Sequence, residues 1–283
     1  MNFKIITDSA CDLPAQMIAE LELGIANLSV EMDGRVYAEG EMTPLELYNH
    51  LRNGKMPKTS AVNPDGWANV IRPALENGQD ALVMPFSSAL SATHQSAVIA
   101  AAELQEEFPD RKIIVIDTLC AAMGQGLLVT LAANKRAEGM NLDDLTAWVE
   151  ETRHHICHWV TVDDLNHLKR GGRISAATAM VGTMLSIKPI IRMDENGKLE
   201  NTTKIRGRKN AIAYIAQKMD EHITDRSLAF IAHGDCMEDA LALEKLVRET
   251  YGVQKTQIGN VGGVIGAHTG PGVLVVFFVG DHR

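Results

Sequence analysis

The sequence has little of what marks membrane-spanning, disulfide-rich or nucleic-acid-binding proteins. Its 283 residues include four widely separated cysteines, whose spacing fits neither a disulfide framework nor a zinc knuckle. No apolar run is long enough to cross a bilayer. Acidic residues outnumber basic ones by 36 to 27, giving a net charge of −9. This charge disfavours binding to nucleic acid and leaves at most transient contact with an anionic membrane.

Targeting and nucleotide-binding motifs are also missing. The first residues lead directly into a strand-like run at residues 3–7, with no apolar leader before it, so a cytoplasmic location is expected. No Gly-x-x-x-x-Gly-Lys phosphate loop occurs, and Gly124-Gln125-Gly126 lacks the third glycine of a dinucleotide fingerprint. The sequence therefore predicts no nucleotide cofactor.

Histidines and a cysteine at residues 154–158 imitate a metal-binding cluster. They span a predicted helix end and a predicted strand, so their side chains are expected to diverge. We therefore expect no metal and no other cofactor.

Strand-like and helix-like segments alternate along most of the chain. This pattern predicts an α/β fold with two lobes, in which an N-terminal lobe holds a parallel-rich sheet with crossover helices. The regular alternation of strand-like and helix-like segments breaks down near Val162. We therefore place the N-terminal α/β lobe at residues 1–162 and a mixed α/β lobe at residues 163–283. A small-residue helix at residues 176–185, which carries Met180 and Met184, is predicted early in the second lobe.

A hydroxyl-rich turn at residues 85–93 lies between a predicted strand and the predicted helix Thr93–Glu107. A helix start carries free N–H groups and positive dipole charge, which suit a carboxylate or a phosphate. No lysine or arginine lies in the turn, so a nucleotide phosphate is less favoured. The alternative is a serine-rich helix cap that binds nothing.

Three basic side chains each fit either a role in binding or a purely structural role. Arg173 follows a glycine pair and either faces an oxyanion or lies in solvent after a helix end. His268, in a glycine-bounded turn, either contacts a carboxylate or ties its loop to a carbonyl group. Arg206 lies in the basic cluster 204–209 at a predicted helix start, where the helix dipole does not favour it, so a functional role is expected for it. The alternative is a solvated basic face, which is favoured for Arg208 and Lys209.

Six motifs, taken together and in order, resemble the DegV family. They are residues 7–13, 58–60, 87–93, 171–175, 188–190 and 267–272. The resemblance implies one DegV-type domain over residues 3–281 that buries a long-chain fatty acid. It also implies that the protein is a non-catalytic lipid-binding subunit. A separate ATP-dependent kinase subunit would convert the bound carboxylate to an acyl phosphate for phospholipid synthesis.

Matched residue by residue, the resemblance assigns the carboxylate to Thr59, Ser91 and His268. It assigns Arg173 and Arg206 to the head-group network or to the kinase-facing surface. Three further hydroxyl groups are expected to support the site: Ser60, Ser88 and Thr93.

The serine turn departs from the family pattern at one pair of residues, and its Ser91 also fits an alternative function. Ala89 and Ala92 stand where the family usually has glycine, which puts the fold of the turn in question. The alternative function is a serine acyl hydrolase with Ser91 as nucleophile and His268 as base. Against it, Ser91 lies outside any Gly-x-Ser-x-Gly elbow, and no acid partner for His268 is identifiable.

Overall fold

The computed structural model describes residues 2–38, 40–175 and 186–283. Its strands are β1 (Phe3–Asp8), β2 (Gly24–Ala26), β3 (Ser29–Met32), β4 (Arg35–Ala38), β5 (Lys58–Ser60), β6 (Asp80–Met84), β7 (Ile113–Val115), β8 (Ile156–Thr161), β9 (Ile187–Met193), β10 (Leu199–Arg206), β11 (Leu228–His233), β12 (Lys255–Asn260) and β13 (Leu274–Val279). Its α-helices are α1 (Ala15–Glu20), α2 (Pro44–Arg52), α3 (Pro64–Glu76), α4 (Thr93–Glu107), α5 (Ala122–Ala137), α6 (Leu142–Thr152), α7 (Asn166–Arg170), α8 (Arg208–His222), α9 (Met237–Lys245) and α10 (Gly263–Thr269). The helix predicted at residues 176–185, with Met180 and Met184, lies outside the described residues.

The first lobe contains a four-stranded parallel sheet in the order β2-β1-β6-β7. Its central strands carry continuous apolar runs, as expected for strands covered on both faces. Helices α3 and α4 pack together on this sheet. The predicted parallel-rich sheet with crossover helices is confirmed. None of the described helices is both long and apolar enough to cross a membrane.

The second lobe contains a six-stranded mixed sheet in the order β10-β9-β8-β13-β11-β12. Only β11 and β12 pair in parallel among these neighbours. Strand β8, expected to close the first lobe before residue 162, pairs instead with β9 and β13, so the expected division falls too late in the chain. All six residues of β8 are buried, which a central strand requires, but sequence pattern alone does not name its partners.

Helix α5 lies between the two sheets, in contact with β1 as well as β8, β11 and β13. It is buried on nearly every side, as its apolar sequence requires. Gly124 permits this packing because a Cβ atom there would lie 2.2 Å from Nε2 of His158. A Cβ atom on Gly126 would lie 2.6 Å from the Cys11 carbonyl oxygen. The two glycines of the Gly-Gln-Gly segment therefore allow α5 to pack closely against its neighbours.

A small antiparallel sheet, in the order β4-β3-β5, joins the first lobe to the second. It packs with α2 against α10. Thr43 and Glu46 form a reciprocal capping box at the start of α2. The buried Tyr48 hydroxyl donates to the Val261 carbonyl oxygen at 3.1 Å. This contact helps hold β5 beside α10, where two of the expected site residues lie.

Thr7 and Asp8, at the carboxyl end of β1, position the serine turn. The Thr7 hydroxyl donates to the Met84 carbonyl oxygen at 2.7 Å. The Asp8 carboxylate accepts from the backbone N–H groups of Phe86, at 2.7 Å, and Ala10, at 3.1 Å. Asp8 is fully buried, and this burial raises its pKa to about 6 despite those hydrogen bonds. The hydrogen bonds of Thr7 and Asp8 therefore hold the serine turn in place.

The raised pKa of Asp8 predicts a pH dependence of folding stability. The folded state holds this proton up to about pH 6, whereas the ordinary value is 3.8. Stability from this group therefore falls as pH rises from about 4 to 6, by a total on the order of 3 kcal/mol, and is constant above. We expect Asp8→Asn to remove that slope. Urea unfolding of both proteins from pH 4 to 7 tests this, and a stability difference that does not change with pH would contradict it.

The approach of α5 to His158 predicts that Gly124 tolerates no side chain. Gly124→Ala should destabilise the protein by roughly 1–3 kcal/mol, the usual cost of overpacking a core. Gln95→Ala, on the exposed face of α4, is the control and should stay within about 0.5 kcal/mol of wild type. Urea unfolding measures the stability of both variants. Equal stabilities of Gly124→Ala and wild type would contradict the prediction and show that α5 can move away from His158.

Candidate functional site

A cavity of about 280 Å³ lies between the two lobes. Its wall is mostly apolar, with a few hydroxyl, imidazole and guanidinium groups, which is the usual composition of a ligand site. The apolar side chains come from both lobes: Leu28, Phe86, Leu90, Val160, Leu168, Ile191, Met193, Leu199, Val261, Val264, Ile265, Val273, Val275 and Phe277.

Strand β13 gives the cavity its length. Val275 and Phe277 on this strand, and Val273 just before it, line the cavity because alternate residues of an extended chain share one face. Four residues of strand span about 13 Å. The cavity thus runs from the turn after α10 to the contact between Phe277 and His158, whose ring centroids lie 5.1 Å apart.

Polar side chains gather at the α10 end of the cavity. Thr59 on β5 and His268 on α10 are joined by a hydrogen bond of 2.8 Å between Oγ1 and Nε2. Arg173 reaches the serine turn, where its Nε donates to the Leu90 carbonyl oxygen at 3.1 Å. Ser91 follows in the same turn and also lines the cavity. The structure therefore brings together Thr59, Ser91, Arg173 and His268, which lie on four separate segments.

Among the described residues that line this cavity, Arg173 is the only lysine, arginine, aspartate or glutamate. It is half-buried, and a second donor of its guanidinium bonds to the Gly171 carbonyl oxygen. No carboxylate lies within ion-pair distance of it in the described part of the chain. Burial lowers the pKa of Arg173, but a guanidinium keeps its charge in proteins. The cavity thus has one fixed positive charge at one end.

His268 is held neutral by its surroundings. Burial and the positive charge of Arg173 lower its pKa to about 4. A neutral ring has one donor and one acceptor nitrogen, and Nε2 is the nitrogen that meets Thr59. A Cβ atom on Gly171 would lie 2.1 Å from Nδ1 of this ring, which explains the glycine at that position.

Ser91 caps α4 from just outside the helix. Its Oγ accepts from the Thr93 N–H at 3.2 Å and lies 2.8 Å from Oγ1 of Thr93. Thr93 is buried, and its carbonyl oxygen accepts from the Trp67 indole at 3.0 Å. Thr93 therefore supports Ser91 and does not itself line the cavity.

The alanines of the serine turn do not distort it. Ala92 has φ −71°, an ordinary helical value, and Ala89 is not among the described residues with positive φ. Alanine at these two positions therefore leaves an unstrained backbone.

Two other expected residues lie away from the cavity. Ser88 is exposed and does not line it; its N–H donates to the Asp117 carboxylate at 3.1 Å. Arg206 was expected at a helix start but is the last residue of β10, exposed and outside the cavity wall. The helix begins two residues later because Gly207, at φ +88°, turns the chain. Ser60 is exposed at the cavity margin.

His158 is a cavity residue that the sequence interpretation missed. Its Nε2 accepts from the Ala121 N–H at 3.3 Å, so Nδ1 carries the proton that is donated to the Ile156 carbonyl oxygen at 3.0 Å. Burial lowers its pKa to about 3, which keeps the ring neutral. Because side chains alternate along a strand, His158 lies on the same face of β8 as Val160, but the sequence pattern does not reveal the cavity there.

Ser91 and His268 do not form a nucleophile–base pair. Ser91 bonds to Thr93, whereas His268 bonds to Thr59. A ring with a pKa of about 4 is also a weak base at neutral pH. The geometry suits holding an anion better than activating a serine.

Comparisons with known proteins agree with this architecture. The DegV family model, described as "Uncharacterised protein, DegV family", matches residues 2–281. A DegV domain-containing protein of Clostridium perfringens is 43% identical, over 100% of this chain and 99% of its own.

Two solved structures share the fold. The first, a DegV family protein from Thermus thermophilus described by its fatty acid binding, has a TM-score of 0.89 and 32% identity, over 99% of this chain and 100% of its own. The second, a stearic acid-binding protein from Eubacterium ventriosum, has a TM-score of 0.88 and 27% identity, over 98% of each chain. By sequence and by fold, the chain belongs to the DegV family.

Proposed function

We propose that this protein binds one long-chain fatty acid. The tail would fill the apolar cavity, and the carboxylate would lie among Thr59, Ser91, Arg173 and His268. The observation that carries the proposal is the fixed charge of Arg173 at one end of a cavity whose other described lining residues are neutral and mostly apolar. The fatty acid binding described for the Thermus and Eubacterium relatives supports it.

The tail and the head group would contribute differently to binding. Each buried methylene gains on the order of 0.8 kcal/mol, and ordering of the ligand offsets much of the sum. The tail therefore supplies most of the affinity. Arg173 compensates the desolvation of the carboxylate, which would otherwise be costly in such a cavity.

Neutral His268 would make Thr59 a hydrogen-bond donor. If Nε2 donates to Thr59 Oγ1, the threonine hydroxyl keeps its own proton for the carboxylate. Ser91 has the same option if the Thr93 hydroxyl donates to Ser91 Oγ. Two hydroxyl donors and one cation would then meet the two carboxylate oxygens.

The wider role we propose is that of a non-catalytic, cytoplasmic subunit without a cofactor of its own. It would present the carboxylate to a separate ATP-dependent kinase subunit, which would form the acyl phosphate. Arg206 supports this reading because it is exposed at the end of the edge strand β10, outside the cavity wall. An arginine there is free to pair with carboxylates or phosphates of a partner.

Head-group variants test the binding proposal. After delipidation, calorimetry should show one palmitate or oleate per chain. Thr59→Val and Ser91→Ala should each weaken binding by roughly 1–3 kcal/mol, because a charged group loses a donor. Arg173→Met should weaken binding at least as much, since it leaves the carboxylate without its counter-charge.

Ser88→Ala is the matched control, since this exposed serine of the same turn lies outside the cavity, and it should bind as wild type does. No binding of either acid at micromolar concentration would refute the proposal. Wild-type affinity in Arg173→Met would refute the head-group assignment, and an acyl group covalently attached to Ser91 would favour the hydrolase.

A second pair of variants separates holding the lipid from presenting it. Arg206→Ala should retain the fatty acid but lower acyl phosphate formation with a kinase subunit. Thr59→Val should first loosen the lipid. Lys255→Ala, an exposed cation on the opposite edge strand β12, is the control and should change neither measurement.

Lipid retention and phosphorylation are measured on the same samples. Loss of lipid from Arg206→Ala, or full phosphorylation by that variant, would contradict the division of roles.

A further inference from the structure

Three metal-ligating side chains meet on the surface of the second lobe, far apart in sequence. The Asp281 carboxylate oxygen Oδ1 lies 3.2 Å from Nδ1 of His222 and 2.8 Å from Nδ1 of His282. One ligand atom from each of the three residues lies within 4.8 Å of those of the other two. His222 is half-buried at the end of α8, and the other two residues are exposed beyond β13.

The backbone holds this group together without any metal. The Asp281 N–H donates to the carbonyl oxygen of His222 at 2.9 Å. An isolated bridge pairs Ile223, which follows His222, with Gly280, which precedes Asp281. The Gly280 N–H donates to the His155 carbonyl oxygen at 2.8 Å. The end of α8 and the segment after β13 are therefore fixed relative to each other.

Side-chain contacts fix the two rings as well. The His222 ring stacks on Trp159, with centroids 6.3 Å apart and planes 7° from parallel. The rings of His222 and His282 meet edge to face at 4.9 Å. On the other side of His282, the Cys157 thiol donates to its carbonyl oxygen at 3.0 Å. A ligand set whose positions are already fixed loses little entropy when a metal binds.

We propose that His222 Nδ1, His282 Nδ1 and Asp281 Oδ1 form a binding site for a divalent cation of the zinc class. Tetrahedral zinc with ligands at about 2.0–2.2 Å places neighbouring ligand atoms roughly 3.3–3.5 Å apart. The observed 2.8 and 3.2 Å need only small side-chain shifts to reach that spacing. Two imidazoles and one carboxylate favour zinc over magnesium or calcium, which prefer oxygen ligands.

The site lies across the second sheet from the fatty acid cavity. Trp159, which supports His222, alternates along β8 with His158 and Val160, which line the cavity. The bound cation would link α8 to the segment after β13 and leave a fourth position open to water. The proposal is independent of the lipid.

Zinc titration of the full-length, chelator-treated protein tests the site. Wild type should bind one zinc ion per chain by calorimetry and unfold at a higher temperature with zinc present. Asp281→Asn and His282→Ala should each weaken zinc binding at least tenfold and lose the thermal shift. His154→Ala, which removes an exposed histidine elsewhere, should behave as wild type does.

Copper gives a second measurement that reports the position of the metal. Stoichiometric Cu²⁺ should quench Trp159 fluorescence in wild type but not in Asp281→Asn, while the folded spectra without metal stay alike. Undetectable zinc binding, or equal binding in wild type, Asp281→Asn and His282→Ala, would overturn the proposal. Loss of the site in His154→Ala would do the same.

Discussion

The site depends on one half-buried guanidinium at the end of an apolar cavity. A cation in such surroundings needs either a partner or close polar contacts, and Arg173 has only carbonyl contacts among the described residues. Its charge also contributes to keeping His268 neutral. An anion with a long apolar tail is the ligand that would both pair with the charge of Arg173 and fill the apolar cavity. The functional proposal follows from that electrostatic requirement more than from any single hydroxyl.

The fold places four segments around this charge by separate means. Asp8 fixes the start of the serine turn, and the Ser87 hydroxyl ties the turn to the Gly197 carbonyl oxygen of the second lobe at 2.9 Å. Tyr48 helps hold the small sheet against α10. Gly171 and Gly124 provide the close approaches that seat His268 and His158. The proposed carboxylate site is therefore a product of how the two lobes join.

Features that depend on residues close together in the sequence could be predicted. The capping of α2 at Thr43 and the bounds of α4 follow from cap residues and turn composition. The sequence could not predict which strands and side chains pair when they lie far apart in the chain. The place of β8 depends on partners more than 25 residues away, and Arg208, expected in solvent, instead forms an ion pair with Asp239 at 2.8 Å. Buried His158 and the fully buried Asp8 carboxylate likewise depend on neighbours that periodicity does not identify.

The most direct test measures the ionisation of the bound ligand. Carbon-13 NMR of palmitate labelled at its carboxyl carbon reports that ionisation in the complex. Because Arg173 stabilises the charged form, the bound carboxylate should stay ionised below the pH range in which the unbound fatty acid takes up its proton. A bound carboxyl group that takes up its proton above that range would mean that it lies in apolar surroundings away from Arg173, and would contradict the account.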